Sequence, residues 1–259
     1  MPLVLLCILF GIAGTFIGSV ITLLIGKRSD TVICYLLAFA GGIMAGVSFF
    51  ELIPSSVEMS NVYVTVAGIA VGAIVVLLLN KLVDHMTKTS KLHETHGELH
   101  HQTTFIESSK TNPKRMLRSG LVMLIAITLH NLPEGLAIGA SLSVETSLGI
   151  TIAIIMAVHN LPEGMAVAAP LLAGGMKKWK IILWTTLSGV PTIIGAIIGF
   201  YLGEISILMQ ALCLAIAGGA MLYIVFGEIM PQSVAMTKSR MPTIITLLGI
   251  AIALLIVQF

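Results

Sequence analysis

The hexapeptide His130-Asn131-Leu132-Pro133-Glu134-Gly135 recurs unchanged as His159-Asn160-Leu161-Pro162-Glu163-Gly164. On a helix, the His and Glu of each copy lie four residues apart and project from one face, with the Asn one step round from the His. Two such helices side by side offer two imidazoles, two carboxylates and two amides. A pair of carboxylates balances a divalent cation, and imidazole with carboxylate suits first-row metals such as Zn, Fe or Mn better than Mg or Ca. Binding needs neutral His and ionised Glu, so loading releases protons and transport is expected to weaken in acid. Pro133 and Pro162 remove the N–H groups that would meet the carbonyls of Leu129 and Val158. Each motif is therefore expected to kink its helix and free a carbonyl oxygen toward the cavity, with a glycine following to permit close approach.

The elements that position these motifs are set by composition. Of 259 residues, 57% are apolar and 10% charged, and the mean hydropathy is +1.04. A soluble globule cannot be coated with so little polar surface, which leaves an integral membrane protein. Lys and Arg number 14 against 12 Asp and Glu, so there is no basic footprint for nucleic acid. Cys7, Cys34 and Cys213 are far apart in apolar runs and read as small buried side chains.

Apolar windows between turn or charge breaks give eight transmembrane helices, near 3–25, 31–53, 62–83, 117–141, 147–172, 180–202, 207–230 and 242–258. The first reads as a span rather than a secretory signal, because no basic residue precedes it and Lys27-Arg28 follows. All 14 basic residues fall in alternate connections or at the span ends that border them, and the connections around Ser55 to Asn61, Ser143 to Ser147 and Gly203 to Ser206 carry none. The positive-inside rule places the basic side in the cytoplasm and both termini outside, extracellular or periplasmic, in a cell membrane. The one long connection, 85–115, is then cytoplasmic. It carries His85, His93, His96, His100 and His101, a composition that fits weak transition-metal binding or a solvated linker, with no ordered site. Counted along the helical rise, His130 lies about 21 Å from the inner end of its span and His159 about 18 Å from the outer end of its own, both close to mid-membrane.

A longer repeat surrounds the motifs. Ala38 to Ser60 and Ala215 to Thr237 match at 11 of 23 positions at a constant offset of 177, including Gly41/Gly218, Gly42/Gly219, Met44/Met221, Glu51/Glu228 and Pro54/Pro231. The second span runs outward and the seventh inward, so the copies have opposite orientation, as in inverted-repeat transporters. Glu51 then falls near the outer end of its span and Glu228 near the inner end of its own. The pairs Gly14/Gly18, Gly42/Gly46, Gly68/Gly72, Gly195/Gly199 and Gly199/Gly203 have GxxxG spacing, which allows close helix contact within one protomer or between two in a homodimer.

Paired HNxPEG motifs in the fourth and fifth of eight spans, with a histidine-bearing loop before them, resemble the ZIP (Zrt/Irt-like) metal transporters, most of all their bacterial zinc-uptake (ZupT/GufA-like) branch. The resemblance covers nearly the whole chain. It implies an all-α, 3+2+3 arrangement with spans 1–3 and 6–8 as inverted repeats around spans 4 and 5. It also implies import of Zn²⁺, often with Fe²⁺, Mn²⁺ or Cd²⁺, into the cytoplasm by alternating access. Carried over by motif, His130, Glu134 and Glu163 are the main ligands, with Asn131, His159 and Asn160 completing or supporting the site. Met44 and Glu51, seven residues apart and thus sharing a helix face, border the site and its outer entrance; Glu228 marks the inner exit. Two departures stand out. Relatives often carry His before that last Glu, where this chain has Gly227. In the sixth span the branch commonly reads SGxAEPxGA, and here Ser188 to Ala196 reads SGVPTIIGA, with Thr192 in place of the Glu. One central metal rather than two is expected.

Two other functions compete. An intramembrane metallo-hydrolase would be expected to carry HExxH, which this chain lacks, so no catalytic cofactor and no enzyme are expected. A passive metal channel needs the same ligands as a carrier, and only saturation and counter-transport kinetics separate the two.

Overall fold

The computed structural model describes residues 12–26, 30–86, 113–237 and 239–258. Every regular element among them is helical: α1 (Ala13–Ile25), α2 (Asp30–Val47), α3 (Ile53–Met59), α4 (Val62–Met86), α5 (Pro113–Val144), α6 (Thr146–Ala173), α7 (Lys178–Leu187), α8 (Val190–Ile205), α9 (Ile207–Ile224), α10 (Met230–Met236) and α11 (Met241–Gln258). Two π turns, Ser48–Leu52 and Val225–Ile229, join α2 to α3 and α9 to α10 without interrupting the rod. Among the described residues, four stretches are long and apolar enough to cross a membrane: Cys34–Met59, Thr146–Ala173, Lys178–Ile205 and Ile207–Ile229. The long connection holding His93, His96, His100 and His101 lies outside the described residues, as do Cys7 and the side chain of His85. Cys34 and Cys213 are buried free thiols.

Two local features depart from the continuous spans read in the sequence. The segments that start at 31 and 207 do not stop near 53 and 230 but continue through their π turns to Met59 and Met236. Pro54 and Pro231 account for this, because each lacks the N–H that would meet the carbonyl four residues back. The ladder widens instead, with the Ile53 N–H donating to the Ser48 carbonyl and the Met230 N–H to that of Val225. The sixth segment, read as one span over 180–202, is broken at Ser188–Gly189. Pro191 again supplies the cause. The Gly189 N–H reaches back to Thr186 at 3.2 Å and the Thr192 N–H to Gly189 at 3.1 Å, tight turns in place of the α-helical spacing.

Close backbone contacts tie the helices into pairs. A methyl on Gly164 of α6 would run into the Thr15 carbonyl of α1, and one on Gly135 of α5 into the Thr192 carbonyl of α8. Likewise Gly42 of α2 meets the Thr246 carbonyl of α11, and Gly219 of α9 meets the Ile69 carbonyl of α4. Thr15 and Thr192, Gly42 and Gly219, and Ile69 and Thr246 are each separated by the same 177 residues as the sequence repeat. The ends of the π-bearing rods are tied in the same register: Ser56 Oγ donates to the Ala211 carbonyl at 2.8 Å, and Cys34 Sγ to that of Ser233 at 2.9 Å. Helices α5 and α6 pack on each other, α6 also on α2 and α5 also on α9. Their shared core includes Met44, Ile138, Ile152, Met156 and Met221.

Glycine is needed at these crossings because nothing larger fits. Gly135→Ala is expected to lower stability by about 1–3 kcal/mol through overpacking, read as a reduced melting temperature in detergent. Gly227→Ala, whose nearest neighbour would be a Tyr223 ring carbon at 3.6 Å, is expected to melt like the native protein.

Candidate metal centre

Both hexapeptides lie inside long, unbroken helices, Pro133 within α5 and Pro162 within α6. The chain therefore passes each proline as helix, and the carbonyls of Leu129 and Val158 lose their usual main-chain donor through covalent structure alone. Asn131, Glu134 and Asn160 are 0% exposed and Glu163 is 1% exposed. These four polar side chains, two of them carboxylates, are buried on two helices that contact each other. Polar groups are not buried at this depth without a compensating partner.

The two motif histidines occupy helical positions in α5 and α6, and their side chains lie outside the described residues. Among the described residues, no three His, Cys, Asp or Glu side chains come together as a metal-holding group. The described part of the site is thus built from carboxylates and amides.

One amide has a fixed orientation. Asn131 Nδ2 donates to the Ser188 carbonyl at 2.8 Å. A carbonyl only accepts, so the nitrogen must face it and the oxygen must face away. That oxygen, Asn131 Oδ1, is buried and accepts no hydrogen bond among the described residues. Thr192 is fully buried on α8 with its hydroxyl also lacking a hydrogen-bond partner among the described residues. Its main chain seats against Gly135, one residue beyond Glu134.

The flanking positions fall on the two π-bearing rods. Met44 is fully buried on α2 and belongs to the core shared with α5 and α6. Glu51 is half-buried within the first π turn, where Ser55 Oγ donates to its Oε1 at 3.1 Å. Glu228 is half-buried within the second. A π turn therefore lies between Met44 and the end of the helix that carries Glu51. Sequence reasoning missed the π turns, and the signal for them was the Glu-x-x-Pro spacing shared by the two copies. It also missed the Ser188 carbonyl, which no side-chain motif could advertise.

The chain is similar to known proteins over nearly its whole length. The family model described as ZIP Zinc transporter matches residues 1–257. The Zinc transporter ZupT of Escherichia fergusonii is 30% identical over 244 residues, covering 93% of this chain and 90% of that protein. The Zinc transporter ZupT of Shigella dysenteriae serotype 1 is 31% identical over 255 residues, covering 97% of this chain and 93% of that protein. The matched family and relatives are transporters, not enzymes. With a family match over almost its whole length, the chain belongs to the ZIP zinc transporter family.

Proposed function

We propose that this protein imports divalent transition-metal ions into the cytoplasm, Zn²⁺ foremost and Fe²⁺, Mn²⁺ and Cd²⁺ as further cargo, by alternating access through a mid-membrane site. The observation that carries the reading is the doubled motif with Asn131, Glu134, Asn160 and Glu163 all buried on packed helices. Zinc takes first place because the relatives of the chain bear the name zinc transporter. In this reading eight spans adopt the 3+2+3 arrangement, an inverted repeat of spans 1–3 and 6–8 around α5 and α6, with both termini outside. The contacts that recur at the 177-residue offset support it.

The cation leaves water near Glu51, passes Met44, and binds His130, Glu134 and Glu163, with Asn131, His159 and Asn160 completing the shell. Two carboxylates cancel its charge, so the loaded site costs less to hold within the bilayer than the empty one. Release proceeds past Glu228 to the cytoplasm. The loop histidines, His85, His93, His96, His100 and His101, bind metal weakly without forming an ordered site. The small-residue faces admit a homodimer in the bilayer.

Sealed proteoliposomes with radioactive Zn²⁺ test the reading. Native protein is expected to accumulate the ion saturably, and the Glu134→Ala, Glu163→Ala double variant to lose uptake by at least about a hundredfold, since each lost ligand costs on the order of tenfold or more. Equal inactivity of both proteins, with tight Zn²⁺ binding by the native one, would point to a sensor instead. Because Thr192 offers a neutral hydroxyl at its position, a metal-soaked structure is expected to hold one strong metal in the central site. Two fully occupied metals about 4 Å apart would contradict that expectation.

A further inference from the structure

We propose that the break between α7 and α8 is a positioning device for Asn131, with Pro191 the residue that creates it. In a continuous helix the Ser188 carbonyl would accept from the Thr192 N–H, four residues on. Here that N–H bonds to Gly189 at 3.1 Å instead, and Pro191 has no N–H to offer to Leu187. Ser188 therefore turns a carbonyl without its helical donor toward α5, and Asn131 Nδ2 takes it at 2.8 Å. The consequence is a fixed amide. Its two faces are chemically different, a donor pair and an acceptor, and the Ser188 carbonyl selects the donor side. Asn131 Oδ1 is left as a buried acceptor without a hydrogen bond among the described residues, three positions before Glu134 on the same helix. A cation wants oxygen and is repelled by N–H, so pinning the nitrogen elsewhere presents the correct face before the metal arrives.

Asn131 is thus held by main chain from another helix rather than by a side chain, and Pro191 acts only through it. This inference rests on the reading of Asn131 as a ligand, and it adds how that ligand is aimed. It also gives the sixth apolar segment a task that its side chains do not reveal. Where Thr192 contributes no carboxylate, the same segment still shapes the site through the Ser188 oxygen.

A double-mutant cycle on Zn²⁺ uptake tests it. Asn131→Ala is expected to raise KM about tenfold, the size of effect seen when groups that support a metal shell are lost. Pro191→Ala, which returns one N–H to the helix and lets it close over Ser188, is expected to raise KM similarly while its maximal rate per inserted protein stays near native. The double variant is expected to match Asn131→Ala alone, because the second change removes nothing more. Effects that multiply in the double variant, or an unchanged KM in Pro191→Ala, would overturn the positioning role and leave the ligand reading intact. An unchanged KM in Asn131→Ala would overturn the ligand reading, and this inference with it. A second measurement needs no proline variant. In native proteoliposomes labelled with ¹⁵N-asparagine and carbonyl-¹³C-serine, a dipolar contact between Asn131 Nδ2 and the Ser188 carbonyl carbon is expected with and without Zn²⁺. It is identified by its loss in Asn131→Ala, and its absence from the native spectrum would overturn the proposal.

Discussion

Two carboxylates held away from water at the centre of an apolar helical protein are the constraint to which the rest of the structure answers. An ionised acid at membrane centre costs on the order of 3 kcal/mol by insertion scales, and in the proposed site the buried Glu134 and Glu163 would incur it together. Such a site is tolerable when a cation is present and the surrounding backbone is already satisfied, because no water is at hand to repair it. The helices that bear the motifs therefore run unbroken past their prolines. Their neighbours come close enough to exclude solvent, through glycines that meet the carbonyls of Thr15 and Thr192.

Irregular backbone is concentrated on the partners of the motif helices. Three prolines, Pro54, Pro191 and Pro231, each withdraw one main-chain donor, and the structure spends the freed geometry differently. At Pro54 and Pro231 the ladder widens into a π turn that carries a half-buried glutamate. At Pro191 the helix breaks, and the released Ser188 carbonyl is taken by Asn131. In each case the polar atom that the proline sets free or shifts lies on a helix bordering the proposed route of the ion. Proline in these helices thus places oxygen atoms where side chains alone would not put them.

Much of this was legible in the sequence. The all-helical build was legible because composition leaves little alternative to long apolar helices, and the duplicated hexapeptide singles out Asn131, Glu134, Asn160 and Glu163, which the structure buries on packed helices. The offset of 177 linked Glu51 to Glu228, and the structure extends it to contacts such as Gly42 with Thr246 and Gly219 with Ile69. What the sequence did not disclose is which hydrogen bond a backbone atom makes once proline removes the usual one. A continuous span over 180–202 is a reasonable reading of side-chain periodicity. It misses the turn at Ser188–Gly189, a change in the main-chain ladder to which periodicity is blind. Thr192 was legible as a missing carboxylate, but its main-chain seat against Gly135 was not.

The central claim is that one buried site, built on Glu134 and Glu163, is reached in turn from each face of the membrane. Counterflow tests it most directly. Proteoliposomes preloaded with unlabelled Zn²⁺ and placed in a trace of radioactive Zn²⁺ are expected to take up label transiently above its equilibrium level, because a site that returns loaded exchanges one ion for another. Label that only relaxes toward equilibrium, at a rate unaffected by the Zn²⁺ inside, would contradict alternating access and establish a channel.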